Sequence, residues 1–143
     1  MGVSPSRLEH DEGYIRLSSP QPHIFVSEVV GFVRAEEAQA FVDFGNAILG
    51  QHESLLGVHD WTAVMGYTNE ARLIVMDWSL RTAARLQEVH IALHSPMVRM
   101  AVAVANIALR GRVTIHESTD SLDLVLRRLS ERPPARKPDG VRR

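Results

Sequence analysis

The amino-acid sequence predicts a single layered β/α domain with a mostly parallel sheet and right-handed crossovers. Three observations carry that prediction. Segments with strand periodicity alternate with segments of helical periodicity in the order β, β, α, β, α, β, α, β, α. The intervening helices are long enough to return the chain for a parallel neighbour, a connection that is right-handed in nearly all proteins. The chain of 143 residues, 45% hydrophobic and 23% charged, can bury one core and shows no internal repeat or second core.

Each element has a local reason. Met1 to Glu12 is polar, so residues 1–13 are expected to be a flexible N-terminus, with the domain spanning 14–130. Tyr14 to Leu17 reads as a short strand closed by Ser18, Ser19, Pro20 and Pro22. His23 to Val33 is rich in β-branched and aromatic residues and reads as a strand with a bulge near Gly31. Ala35 to Leu49 carries the apolar stripe Ala38, Phe41, Val42, Ile48 and Leu49 of a helix. Glu36 and Glu37 suit its positive N-terminal end, and Gly50 suits its stop.

Leu55 to His59 predicts a short buried strand, and the stretch from Asp60 to Thr68, marked by Gly66, predicts a loop. Thr68 is placed to cap a helix that would bury Ala71, Ile74, Val75, Trp78 and Leu86, with Asp77 and Arg81 pairing on its wet side. Val89, Ile91 and Leu93 alternate with His90, Ala92 and His94, the period of a strand. Pro96 opens the next helix, which is apolar almost all round to Leu109 and stops at Gly111. Arg112 to His116 alternates again, and a last helix buries Leu122, Val125, Leu126 and Leu129.

Composition narrows the function classes. The net charge of −1 argues against nucleic-acid binding, which calls for a basic face. Residues 131–143 hold +3 and leave −4 on the rest, and with Pro133, Pro134, Pro138 and Gly140 they read as a disordered basic tail. There is no cysteine, so no disulfide or thiolate chemistry is available, and a reducing cytoplasmic location is expected. The longest apolar-rich run, Met97 to Leu109, is too short for a transmembrane segment, which needs about 20 residues.

Several residues invite a chemical reading. His59, His94 and His116 each fall near the predicted C-terminal end of a strand, the edge where open α/β sheets bind ligands. Three imidazoles gathered there could hold zinc and make a metal-dependent hydrolase. No paired His spacing supports that set, however, and the expectation is no metal and no cofactor. Ser95 is a poor nucleophile because Pro96 after it lacks the backbone N–H of an oxyanion hole. Asp60, Trp61, Tyr67 and Thr68 are the candidate wall of a ligand pocket. Met97, Met100, Val104 and Ile107 are the candidate interface, on a helix with more apolar faces than a sheet can cover.

Taken together, Gly31-Phe-Val33 running into Ala35-Glu-Glu-Ala38, the strand Leu55-Leu-Gly-Val-His-Asp60, the strand Val89-His-Ile-Ala-Leu93 and the closing Arg112-Val-Thr-Ile-His-Glu-Ser118 resemble the STAS superfamily. The resemblance covers Ile24 to Leu129, is one of pattern and order, and is nearest to the SpoIIAA-like, STAS/SEC14-like branch. It implies a bacterial, non-catalytic regulatory module that works through protein–protein interaction or self-association. The alternative it implies is a sensor of a small apolar ligand or lipid. Antagonists of this superfamily carry a phosphorylated Asp-Ser pair where this chain has Gly66-Tyr-Thr-Asn-Glu70, so Thr68 is the only phosphoacceptor in register.

Overall fold

Six strands lie side by side in the order in which the chain makes them, β1 (Ser6–His10), β2 (Gly13–Ser18), β3 (Ile24–Val33), β4 (Leu55–Tyr67), β5 (Leu86–Leu93) and β6 (Val113–His116). The computed structural model describes residues 3–132. β1, β2 and β3 form an antiparallel meander, and β3 to β6 are parallel. The parallel strands are joined by α1 (Ala35–Leu49), α2 (Asn69–Arg81) and α3 (Pro96–Ala108), and α4 (Thr119–Ser130) follows β6. The fold class is the α/β one expected, with a mostly parallel sheet.

The stretch expected to be flexible, 1–13, is corrected at Ser6–His10, which pairs with Gly13–Leu17 of β2. Apart from the exposed Leu8 its residues are polar, so no period-2 signal marks it; its strand character comes from pairing with β2 alone. The turn is held by a close glycine pair. Gly31 sits at φ +86°, and a Cβ there would overlap the Glu12 carbonyl oxygen, which Phe32 N–H meets at 3.1 Å. Only glycine tolerates both demands, and the expected irregularity near Gly31 is found as a register shift against β4.

β4 is the second correction. Asp60 to Tyr67 continues the strand instead of forming a loop. Two slips against β3, where Glu28 and Val30 face Asp60 and Ala63, and Gly31 and Phe32 face Val64 and Gly66, break the alternation. His59 is therefore mid-strand. Leu86, expected in α2, begins β5 after a short 3-10 turn at Ala83–Arg85.

Helix ends follow the local chemistry. Thr68, Ser95 and Ser118 hydroxyls accept from the backbone N–H of Ala71, Val98 and Ser121, capping α2, α3 and α4. The Glu37 carboxylate accepts from Arg34 N–H at 2.8 Å, and Gly50 N–H closes α1 on the Asn46 carbonyl. Of the expected tail 131–143, Glu131 caps α4 and the Arg132 guanidinium bonds Glu88 at 3.1 Å, so these two belong to the fold. Residues 133–143 lie outside the described residues.

Strand alternation divides the core into two layers. Phe25, Val29, Leu55, Val89, Ile91 and Val113 face α1, α2 and α3. Ile24, Leu56, Val58 and Ala92 face α4 through Leu122, Val125 and Leu129.

Candidate functional site

The larger layer is not filled. Between the sheet and its three helices lies a cavity of about 160 Å³. Its floor is sheet residues such as Val64, Val89 and Ile91, and its sides come from α2 (Val75, Met76) and α3 (Ala101, Ala105). The reason is visible in the side chains: α3 presents Ala101 and Ala105 to the sheet between Val98, Val102 and Leu109, so a small residue stands where a large one would close the gap. This one is partly open to solvent; a closed apolar cavity of about that size accepts a molecule such as benzene.

Two of the residues expected to wall a pocket do so. Trp61 and Tyr67 line the cavity, and Tyr67 Oη donates weakly to the Met97 carbonyl at 3.4 Å. Asp60 does not, because alternation puts it on the α4 face. There its carboxylate accepts from Thr62 N–H and Oγ1 and from Thr119 Oγ1. Thr68 lies at the end of the strand, and its hydroxyl oxygen accepts from Ala71 N–H at 3.0 Å.

The polar element of the cavity is a short chain of hydrogen bonds. Trp61 Nε1–H donates to Ser27 Oγ at 3.1 Å, and Ser27 Oγ lies 2.7 Å from His59 Nδ1. The imidazole stacks on the Trp61 ring with centroids 5.6 Å apart and meets Phe25 edge-on at 5.0 Å. Burial pushes its pKa down to about 3, so His59 is neutral at any physiological pH. Ser27 was not singled out in the sequence; its register opposite His59 is the signal that reveals it.

His59, His94 and His116 are not brought together. His59 faces the cavity, His94 projects past β5 with Nε2 2.9 Å from the Glu117 carbonyl, and His116 faces α4. His116 instead joins a line of groups that the sequence reading did not connect. Ser121 Oγ lies 2.6 Å from His116 Nδ1, His116 Nε2 lies 2.9 Å from His90 Nδ1, and His90 Nε2 lies 2.7 Å from Glu88. With both rings neutral, every link points the same way, from the serine hydroxyl to the carboxylate. Burial and the neighbouring His90 lower the His116 pKa. Burial opposes the Glu88 charge, but hydrogen bonds from His90, Arg132 and Arg128 outweigh it and hold this carboxyl below its usual range. The line ties α4 to β5 and β6. The group of ligand-type side chains gathered among the described residues is His10, Asp11 and Glu12, and it is already engaged by Arg34 and backbone.

The expected interface residues are exposed on α3, Met97 at 49%, Met100 at 70%, Val104 at 56% and Ile107 at 81%. No helix among the described residues is long and apolar enough to cross a membrane.

No protein-family model matches the sequence, and no curated protein matches it significantly. Among solved structures, the chain is similar to an uncharacterised protein of the DUF3478 family from Shewanella loihica PV-4, described as having a SpoIIAA-like fold. The two share 17% identity, the match covers 86% of this chain and 93% of the other, and the TM-score is 0.58. At that identity the likeness speaks to architecture. The sheet order, the helices that cover it and this likeness give one conclusion: the chain has a SpoIIAA-like α/β fold, as its STAS-type sequence pattern implied.

Proposed function

We propose that this domain is a non-catalytic binding module that takes up a small apolar molecule between its sheet and helices α2 and α3. The observation that carries the reading is the cavity of about 160 Å³ behind Ala101 and Ala105. A natural core of this size leaves few voids larger than a water molecule, and an apolar void gains by accepting an apolar guest. The location is cytoplasmic in this reading, on the absence of cysteine. The test is thermal unfolding in buffer saturated with methylcyclohexane. A guest that binds only the folded state raises the midpoint by several degrees; an unchanged midpoint refutes uptake.

A second reading, a regulatory protein-interaction surface, is favoured by the outer face of α3. Met97, Met100, Val104 and Ile107 are exposed there, and neighbouring α2 adds exposed Leu73 and Leu80. Methionine-rich surfaces adapt to partners of different shape. Replacing Met100 and Val104 together by glutamate then abolishes self-association or partner capture while leaving the circular dichroism spectrum intact; unchanged assembly removes this face from consideration.

A further inference from the structure

The ligand-uptake reading can be taken one step further, to the chemical class of the guest, and this step rests on that reading. We propose that the cavity selects an apolar molecule bearing one uncharged acceptor oxygen, received by the Nε2–H of His59.

The argument is one of proton placement. Trp61 Nε1 can only donate, and it donates to Ser27 Oγ. Ser27 is 1% exposed and its hydroxyl hydrogen needs an acceptor; among the described residues the one within reach is His59 Nδ1 at 2.7 Å. If Nδ1 carried the proton instead, Ser27 would accept twice and bury an unused O–H, a loss of about 1–3 kcal/mol. Nδ1 is therefore the acceptor. A neutral imidazole has one N–H, so that hydrogen is on Nε2.

Nε2 has no hydrogen-bond partner among the described residues. It lies over Gly57, on the cavity face of β4, where a Cβ would come within 2.8 Å of it. The absence of that methyl group gives the imidazole room to lie there. Of the other polar groups on the wall, Glu37 accepts from Arg34 N–H, Arg72 donates to Asn69 Oδ1 at 2.8 Å, and Trp78 Nε1–H donates to Asn46 Oδ1 at 2.8 Å. His59 Nε2 keeps some open surface beside the cavity; a purely apolar guest would seal its N–H without an acceptor, and a guest that supplies an oxygen avoids that cost. A carboxylate guest at this point would lose its hydration for a single neutral N–H, so an uncharged oxygen, as in a ketone, ester or phenol, is the better match.

Three shape-related probes decide the matter: methylcyclohexane, cyclohexanone and cyclohexanecarboxylate, titrated against the full chain and His59→Phe with the fluorescence of Trp61 and Trp78, both on the cavity wall, as readout. Cyclohexanone is expected to weaken by about three- to tenfold in the variant, the size of one net hydrogen bond, while methylcyclohexane holds within about twofold of the same scale. Equal responses of the two overturn the donor role and leave uptake standing. Tightest binding by the carboxylate overturns it in favour of Arg72. Binding by none of the three refutes uptake itself. Nitrogen NMR of the unaltered protein gives a check that does not depend on the variant folding. The His59 ring must show the Nε2–H form and shift with cyclohexanone but not methylcyclohexane; an Nδ1–H ring overturns the proposal.

Discussion

The two faces of the sheet are covered in opposite ways. One face carries α1, α2 and α3 over a large aromatic and aliphatic layer that still leaves a partly open cavity of about 160 Å³. The other carries α4 alone, over a small layer that includes Ile24, Leu56 and Leu129, each at most 1% exposed, and is secured by the Ser121–His116–His90–Glu88 line. Both faces combine apolar packing with polar bonds: Trp61, Ser27 and His59 are linked on the three-helix side, and on the α4 side a smaller hollow of about 70 Å³ lies beside Asp60 and Leu126. The difference teaches that the covered area of a face does not decide what that face is for.

Mutations sharpen the contrast. The largest effect is expected on the α4 face. Leu129→Ala removes a fully buried side chain from α4 and should cost about 3–4 kcal/mol in urea unfolding. A cost near that of an exposed leucine, such as Leu124→Ala, would show the α4 layer to be loose.

Acid comes next. His59 is pushed from 6.5 to about 3 in the folded state, so the unfolded chain binds its proton first as pH falls. Stability is then lost from about pH 6.5 downward, by up to roughly 1.4 kcal/mol per pH unit, until the folded ring itself titrates. His23, lowered by burial, and His116, lowered by burial and by His90, add to the same acid limb. The slope of unfolding free energy between pH 6.5 and 5 measures the sum, and His59→Gln should flatten it; a flat wild-type profile would contradict the burial of these rings.

Filling the void works in the other direction. Ala105→Leu should raise stability by about 1 kcal/mol, because the added atoms occupy existing space, and should block uptake of methylcyclohexane. A loss instead would mean that the space is not there to be filled.

The smallest effect belongs to the polar line. Ser121→Ala removes one hydrogen bond at the start of α4 and should cost about 0.5–1.5 kcal/mol, against a larger loss for Glu88→Gln, which disturbs His90, Arg128 and Arg132 together.

The sequence and the structure part company at particular places. α1 is found at Ala35–Leu49 because its apolar stripe, acidic first turn and Gly50 stop all agree. The second half of β4 was hidden, since the slips after Asp60 erase the period-2 pattern and Gly66 looks like a turn residue. β1 was hidden because an edge strand that is polar apart from the exposed Leu8 has no hydrophobic signature. In the site, Trp61 and Tyr67 were legible as a pocket wall, because aromatic residues following a buried strand are natural lining. Asp60 was misplaced with them for want of the alternation. The separation of His59 from His116 was implicit in register: His59 faces Ile91 and His116 faces Ala92, adjacent residues of β5 on opposite faces. Nothing in the sequence could have shown the void itself, which depends on how α2 and α3 settle over the sheet.

The rims of the sheet carry a last consequence. β1 is bordered by Arg7 and Glu9 on an exposed strand, and β6 is four residues long. Charged or very short rims discourage another chain from continuing the ladder through main-chain hydrogen bonds. A partner of such a domain is then met by side chains and not by an added strand.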